Sequence, residues 1–186
     1  METKRAVEIE KVVEQVINTY NKHTADTPGE LTVDVSRLAT ILGFLVKGMP
    51  MDSNDDGIII STKKHKIIAI NHERTLEEKR FIIAHELGHY YLDGGAKGAL
   101  INYRERKHGR SDSENEKDYF AACLLMPAEV FKKVFAKVVE QADKSTTDYI
   151  RVCKVLAELF KVPYESAMRR MHELNLIETT ESKCSN

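Results

Sequence analysis

The sequence has few cysteines and no arrangement of them that suggests a crosslinked fold. Its 186 residues contain three: Cys123, Cys153 and Cys184. They are an odd number, lie far apart and form no CxxC pair, which argues against a disulfide framework. We therefore expect reduced thiols, as in a cytoplasmic protein.

Long apolar runs and an excess of one charge are also missing. No segment approaches the roughly 20 apolar residues of a membrane span. Residues 1–15 alternate charges with Val and Ile, without the continuous apolar stretch of a signal peptide. Charged residues make up 31% of the chain, yet the formal net charge is −1, so overall charge gives nucleic-acid binding no support. A cytoplasmic protein that does not enter a membrane is expected.

Length and composition favour one domain with a small appendage. Hydrophobic residues reach 42%, which is enough for a core. We divide the chain into four segments. They are an N-terminal amphipathic helix (1–30), a core that carries the chemical motifs (31–145), a C-terminal helical pair (146–177) and a frayed tail (178–186).

Hydrophobic spacing predicts mostly helices around a small sheet. Strands are indicated at 44–46, 58–60 and 67–70, the last two joined as a hairpin. Thr75 and Glu78 fit a capping box that begins a helix running to about Asp93. The remaining helices are predicted at 3–22, 34–42, 113–126, 127–141, 147–160 and 163–174. The fold class is thus α+β, mainly helical, with about three antiparallel strands beside the helix at 75–93.

The segment His85-Glu86-Leu87-Gly88-His89 lies in that helix and matches the HExxH pattern. Residues four apart share a helix face, so His85 and His89 can bind one zinc ion. Glu86 is next to the first ligand and can act on a metal-bound water. The pattern therefore predicts metal-assisted hydrolysis of a peptide.

A catalytic zinc needs a third protein ligand. The metzincin extension is excluded, because Leu92 and Gly95 stand where it requires Gly and His. Asp93, Cys123, His108 and the carboxylates of 113–118 are the residues that remain.

Glu116 is the strongest of these, because Phe120, Cys123 and Leu124 follow it on one helical stripe. A buried carboxylate is costly unless a metal or another partner compensates it. Ser113 and Glu116 also fit a capping box, which would make Glu116 only a helix-start residue. The residues alone do not decide between Glu116 as a metal ligand and Glu116 as a capping residue. Glu114 is expected to point to a different face.

Several of these segments together resemble the ImmA/IrrE-type metallopeptidases, a gluzincin-like group of bacteria and their mobile elements. The resemblance extends from about Leu38 to Leu176. It is carried by the strand 67–71, by the helix 80–89, and by 116–127, which is similar to a second family motif, Glu-Ala-Asn-x-Phe-Ala followed by Leu-Leu-Met-Pro. Lys117 and Asp118 replace the usual Ala-Asn and are expected to touch neither the ligand nor the apolar stripe.

The resemblance implies a zincin-like fold and one zinc ion per chain, with Glu116 as the third ligand beside His85 and His89. It also implies an endopeptidase whose protein substrate is a helix-turn-helix repressor encoded on the same mobile element, or an antitoxin. In this mechanism a metal-bound water attacks the peptide and Glu86 is the general base. Tyr119, Tyr103 and His108 remain open as the group that stabilises the oxyanion.

A rival interpretation concerns the C-terminal helices. Residues 155–174 resemble a helix-turn-helix, and Arg169 and Arg170 could meet phosphates. Nearby acidic residues nearly cancel these charges, so we favour a helical pair that packs under the active site or docks a partner. The alternative function is a regulatory partner that is non-catalytic or binds DNA, such as a zinc-bearing antitoxin or a repressor-binding module.

Overall fold

The computed structural model describes residues 3–24, 31–53, 55–94, 100–105, 112–141 and 148–177. These ranges contain seven helices and four strands; the expected tail at 178–186 lies outside them. In chain order the elements are α1 (Thr3–His23), α2 (Val35–Ile41), β1 (Leu45–Met49), β2 (Asp55–Ser61), β3 (Lys66–Asn71), α3 (Leu76–Leu92), β4 (Leu100–Glu105), α4 (Asp112–Leu125), α5 (Ala128–Gln141), α6 (Tyr149–Phe160) and α7 (Tyr164–Glu173). The α+β, mainly helical class is confirmed.

The sheet is larger than predicted and mixed. Its strand order is β1-β3-β2-β4. β1 runs parallel to β3, whereas β2 is antiparallel to both β3 and β4. The expectation of about three antiparallel strands is corrected on both counts. β4 was missed because it lies in a polar stretch of mixed charge without a β-branched run.

Helix α3 begins at the predicted capping box and lies against β2. Thr75 Oγ1 accepts from the Glu78 backbone N–H at 3.2 Å, and Glu78 Oε2 accepts from the Thr75 N–H at 2.9 Å. In β2, a Cβ at Gly57 would lie 2.8 Å from Ile82 Cγ2 and 3.5 Å from Glu86 Oε1. A glycine at this position therefore lets the strand approach the HExxH segment of α3.

One hydrophobic core joins helices from both ends of the chain. It includes Ile9 of α1, Leu87 of α3, Phe120 of α4, Leu156 of α6 and Met171 of α7, each fully buried. Burying such side chains stabilises the fold by about 1.5–3 kcal/mol each. The C-terminal helical pair thus shares the core of the HExxH helix. The division into four segments stays a prediction.

Across the part of the chain that the structure describes, no helix has the length and apolar character needed to cross a membrane.

Candidate metal centre

Helix α3 brings the two predicted histidines together on one buried face. His85 and His89 are each 1% exposed, and their ring centroids lie 5.0 Å apart. Their spacing of four residues places both rings on the side of α3 that faces α4. The structure thus gives the two histidines the arrangement that the HExxH pattern predicts.

The carboxylate that meets them belongs to Glu114, in the first turn of α4. Its Oε2 lies 3.2 Å from His85 Nε2, and its Oε1 lies 3.5 Å from His89 Nε2. One ligand atom from each of the three residues lies within 4.8 Å of the others. Two imidazole nitrogens and a carboxylate are ligands that zinc accepts. His85, His89 and Glu114 could therefore hold a metal ion.

Glu116 lies outside this cluster. The expected ligand set of His85, His89 and Glu116 is therefore corrected. The Glu116 carboxylate accepts two hydrogen bonds from Arg5 of α1, from Nε at 2.9 Å and Nη2 at 2.8 Å. These bonds, chiefly, lower the pKa of Glu116. Two residues turn a helix by roughly 200°, so Glu114 and Glu116 point in different directions, and it is Glu114 that faces α3. The capping interpretation does not describe Glu116 either, because α4 already includes Asp112, so Ser113 lies inside the helix and is not its N-cap.

The apolar stripe of α4 did not identify the third ligand, because α4 is buried on several sides. Lys117, Asp118, Phe120 and Ala121 all lie in the interior, so burial does not single out one face of this helix. The pair Glu114 and Asp118, spaced i and i+4, was the signal that could have found the metal-facing side.

A second layer of carboxylates orients the histidines. His85 Nδ1 lies 2.8 Å from Asp118 Oδ1, and His89 Nδ1 lies 2.7 Å from Asp93 Oδ2. Such bonds fix the tautomer and ring orientation, and leave Nε2 for the metal. Asp118 was expected to touch no ligand. This is corrected, because it lies on the Glu114 face of α4.

Each of these two carboxylates also forms an ion pair with a basic side chain. Lys117 Nζ lies 2.5 Å from Asp93 Oδ1, and Arg169 Nη1 lies 3.6 Å from Asp118 Oδ2. Burial alone would raise the pKa of Asp93, but its bonds with His89 and Lys117 prevail and lower it. Burial lowers the pKa of His89 and prevails over its bond with Asp93. A neutral imidazole beside an ionised carboxylate is the state that metal binding requires.

Glu86, the predicted base, is fully buried and follows His85 in α3. Its Oε1 would lie 3.5 Å from a Cβ at Gly57, so the carboxylate faces β2. Glu114, in contrast, keeps 32% of its side chain exposed. The cluster therefore has a buried carboxylate next in sequence to His85 and one ligand, Glu114, that solvent can reach.

Tyr119, one candidate for stabilising the oxyanion, points elsewhere. Its hydroxyl donates to Glu10 Oε1 of α1 at 2.6 Å, and its ring lies 5.7 Å from the Arg170 guanidinium carbon. The hydroxyl is thus directed at α1, the helix that also binds Glu116. The side chain of Tyr103 and all of His108 lie outside the described residues.

The two C-terminal arginines are also held within the fold. Arg170 is 2% exposed; its Nε donates to the Met126 carbonyl at 3.1 Å and its Nη1 to Glu173 at 3.1 Å. The suggestion that Arg170 could meet phosphates is therefore wrong. Arg169 remains partly exposed and pairs with Glu173 as well as with Asp118.

An HExxH helix joined by a glutamate from a later helix defines the chain as a candidate metal-dependent hydrolase. The model of the peptidase M78 family, described as an IrrE N-terminal-like domain, matches residues 39–172. The chain belongs to this family.

A comparison with curated proteins found no match. Among solved structures, a Mycobacterium tuberculosis transcriptional regulator is similar, with a TM-score of 0.53 and 14% sequence identity. The match covers 91% of this chain and 47% of the other, so this chain spans about half of that protein's length. At this identity the likeness concerns the fold alone.

Proposed function

We propose that this protein is a zinc-dependent endopeptidase. The observation that carries the proposal is the meeting of His85, His89 and Glu114 next to the buried Glu86. Membership of a peptidase family supports it. A structural zinc site is usually closed by four protein ligands. Three ligands with a carboxylate beside them are typical of a catalytic site.

The metal would be held by Nε2 of both histidines and by the Glu114 carboxylate. When bound, it supplies a Lewis acid that activates water and polarises the peptide carbonyl. Glu86 accepts the proton of the attacking water on a carboxylate oxygen and later delivers it to the leaving amine. Asp118 and Asp93 hold the imidazoles in the tautomer that this requires.

The proposed substrate is a helix-turn-helix repressor encoded on the same mobile element, with an antitoxin as the other possibility. The resemblance to ImmA/IrrE-type peptidases supports this assignment. Arg170 is buried and Arg169 is paired with acidic residues. The exposed Lys154 and Lys161 are nearly balanced by Asp148, Glu158 and Glu165, which favours a protein substrate over DNA as the main partner. The reaction would take place in the cytoplasm.

The test is to incubate the protein with the purified product of the neighbouring gene, with and without a chelator. Glu86→Gln should keep the metal and abolish cleavage, since the amide cannot accept the proton. Glu77→Gln is a matched control, because Glu77 is exposed in the first turn of the same helix, and it should cleave normally. Cleavage by Glu86→Gln at the wild-type rate would exclude the mechanism, and cleavage in excess chelator would exclude the metal. Stable binding of the candidate by the metal-loaded wild type, without any cleavage, would favour a non-catalytic zinc-bearing partner.

A further inference from the structure

Lys117 is a buried lysine that lies next to the metal cluster without belonging to it. Its side chain is almost completely buried, with 1% of the residue exposed. Its Nζ pairs with Asp93 Oδ1 and donates to Ser113 Oγ at 2.8 Å. A buried lysine is costly unless its charge is compensated, and here Asp93 compensates it.

The two partners of Lys117 belong to different helices. Ser113 lies in the first turn of α4 and directly precedes Glu114, whereas Asp93 is the C-cap of α3 and holds His89 Nδ1. The Lys117 ammonium thus connects the turn that carries one ligand to the residue that orients another.

The helix backbones meet closely at the same place. A Cβ at Gly88 would lie 3.3 Å from Cα, Cβ and Cγ of Lys117. Gly88 separates Leu87 from the ligand His89 and has no side chain to push α4 away. The stem of Lys117 is therefore packed against α3, and its head is held by a carboxylate at the end of that helix.

We propose that Lys117 is a positioning residue for the metal site, which holds Glu114 and Asp93 in the geometry that binds the ion. This inference rests on the proposed function, because it assumes that His85, His89 and Glu114 bind a metal. The motif that this segment resembles has Ala at the position of Lys117. The contacts of Lys117 with Asp93 and Ser113 therefore belong to this chain and not to the general motif.

Charge and position predict opposite effects for the removal of Lys117. A cation repels a divalent metal nearby, so charge alone predicts tighter binding after its removal. Loss of a group that orients a ligand weakens metal binding by about 10–100-fold. Because Lys117 is already neutralised by Asp93, we expect the positional effect to prevail.

The experiment measures the Kd for Zn²⁺ of the full chain by chelator competition. Lys117→Met keeps the length of the side chain and should weaken binding by about tenfold or more. Lys132→Met, at a half-exposed lysine of α5, is the matched control and should leave the Kd unchanged. Unchanged or tighter binding by folded Lys117→Met would overturn the inference. If the wild type itself bound no zinc, the proposed function would fail first, so the two failures are distinguishable.

A double-mutant cycle separates positioning from a general structural effect. If Lys117 acts through Asp93, adding Lys117→Met to Asp93→Asn should cost much less affinity than Lys117→Met costs alone. Equal losses in both backgrounds would refute this route. The visible spectrum of the Co²⁺ form should shift in Lys117→Met and stay unchanged in Lys132→Met.

Folding of each metal-free variant is checked by circular dichroism. Should Lys117→Met not fold, Ser113→Ala removes only an acceptor of the ammonium at an exposed position. It should weaken zinc binding in the same direction, and an unchanged Kd would count against the inference.

Discussion

Replacing Gly88 with Ala tests the close contact between α3 and α4. The new Cβ would lie 3.3 Å from three atoms of Lys117, one of them the backbone Cα. A backbone atom cannot rotate away, so the helices must separate by a few tenths of an ångström. Such overpacking costs about 1–3 kcal/mol, whereas Ala instead of Gly in a helix gains about 1 kcal/mol. We expect a net loss of about 1 kcal/mol in the free energy of unfolding.

Urea unfolding of the metal-free protein measures this loss. A matched control is Gly48→Ala in β1, where the added Cβ would meet His72 Cβ at an ordinary 3.6 Å. Since Ala is favoured over Gly by about 0.5–1 kcal/mol in a strand interior, this variant should be as stable as the wild type or slightly more so. Gly88→Ala should also bind zinc more weakly, because separating the helices moves Glu114 from the histidines. If it proved more stable than the wild type, the contact would not constrain the helices and the reasoning would be refuted.

Three further predictions concern stability and reactivity. Thr75→Ala removes one half of the capping box that begins α3 and should lower the free energy of unfolding by about 1 kcal/mol in urea titrations; no loss would mean that the cap contributes nothing. Burial raises the pKa of both Cys123 and Cys153 to about 11, so in a Cys184→Ser variant both thiols should react slowly with a thiol reagent at pH 8 and quickly in urea; rapid reaction in the native protein would contradict their burial. Zinc at about 100 times its Kd should stabilise the fold by roughly 2.7 kcal/mol, seen as a higher Tm that a chelator reverses, and an unchanged Tm would argue against the site.

The helix of the metal motif could be predicted from sequence because its signals are local. The capping box at Thr75 and Glu78 marks where α3 begins, and the spacing of His85 and His89 places both rings on one face whatever surrounds them. Helix periodicity is a property of the chain itself. The expected helix of 75–93 agrees with the observed Leu76–Leu92 within a residue at each end.

The third ligand could not be predicted in the same way because it depends on how two helices meet. Glu114 and Glu116 are two residues apart in one helix, and their roles are decided by the neighbours that each meets. Arg5, which takes Glu116, is 111 residues away in sequence. The spacing of Glu114 and Asp118 hints at the metal-facing side of α4, but only the packing of α1 against α4 shows that Arg5 binds Glu116 and leaves Glu114 to the histidines.

The contacts of the C-terminal arginines could not be predicted from the local sequence either. The sequence around Arg169 and Arg170 predicts a helix with basic residues, which is correct as far as the helix goes. The fold then buries Arg170 beneath Met126 and Glu173, and turns Arg169 toward Asp118. Long basic side chains often pack their stems inside a protein, so their number alone does not define a surface.

The zinc content of two glutamate variants tests the account most directly. Wild type, Glu114→Gln and Glu116→Gln would be loaded with zinc, freed of excess metal by gel filtration and analysed for metal per chain. We predict one zinc in the wild type and in Glu116→Gln, because Glu116 only pairs with Arg5 at a partly exposed site, and strong loss in Glu114→Gln. Retention by Glu114→Gln together with loss in Glu116→Gln would contradict the ligand set of His85, His89 and Glu114.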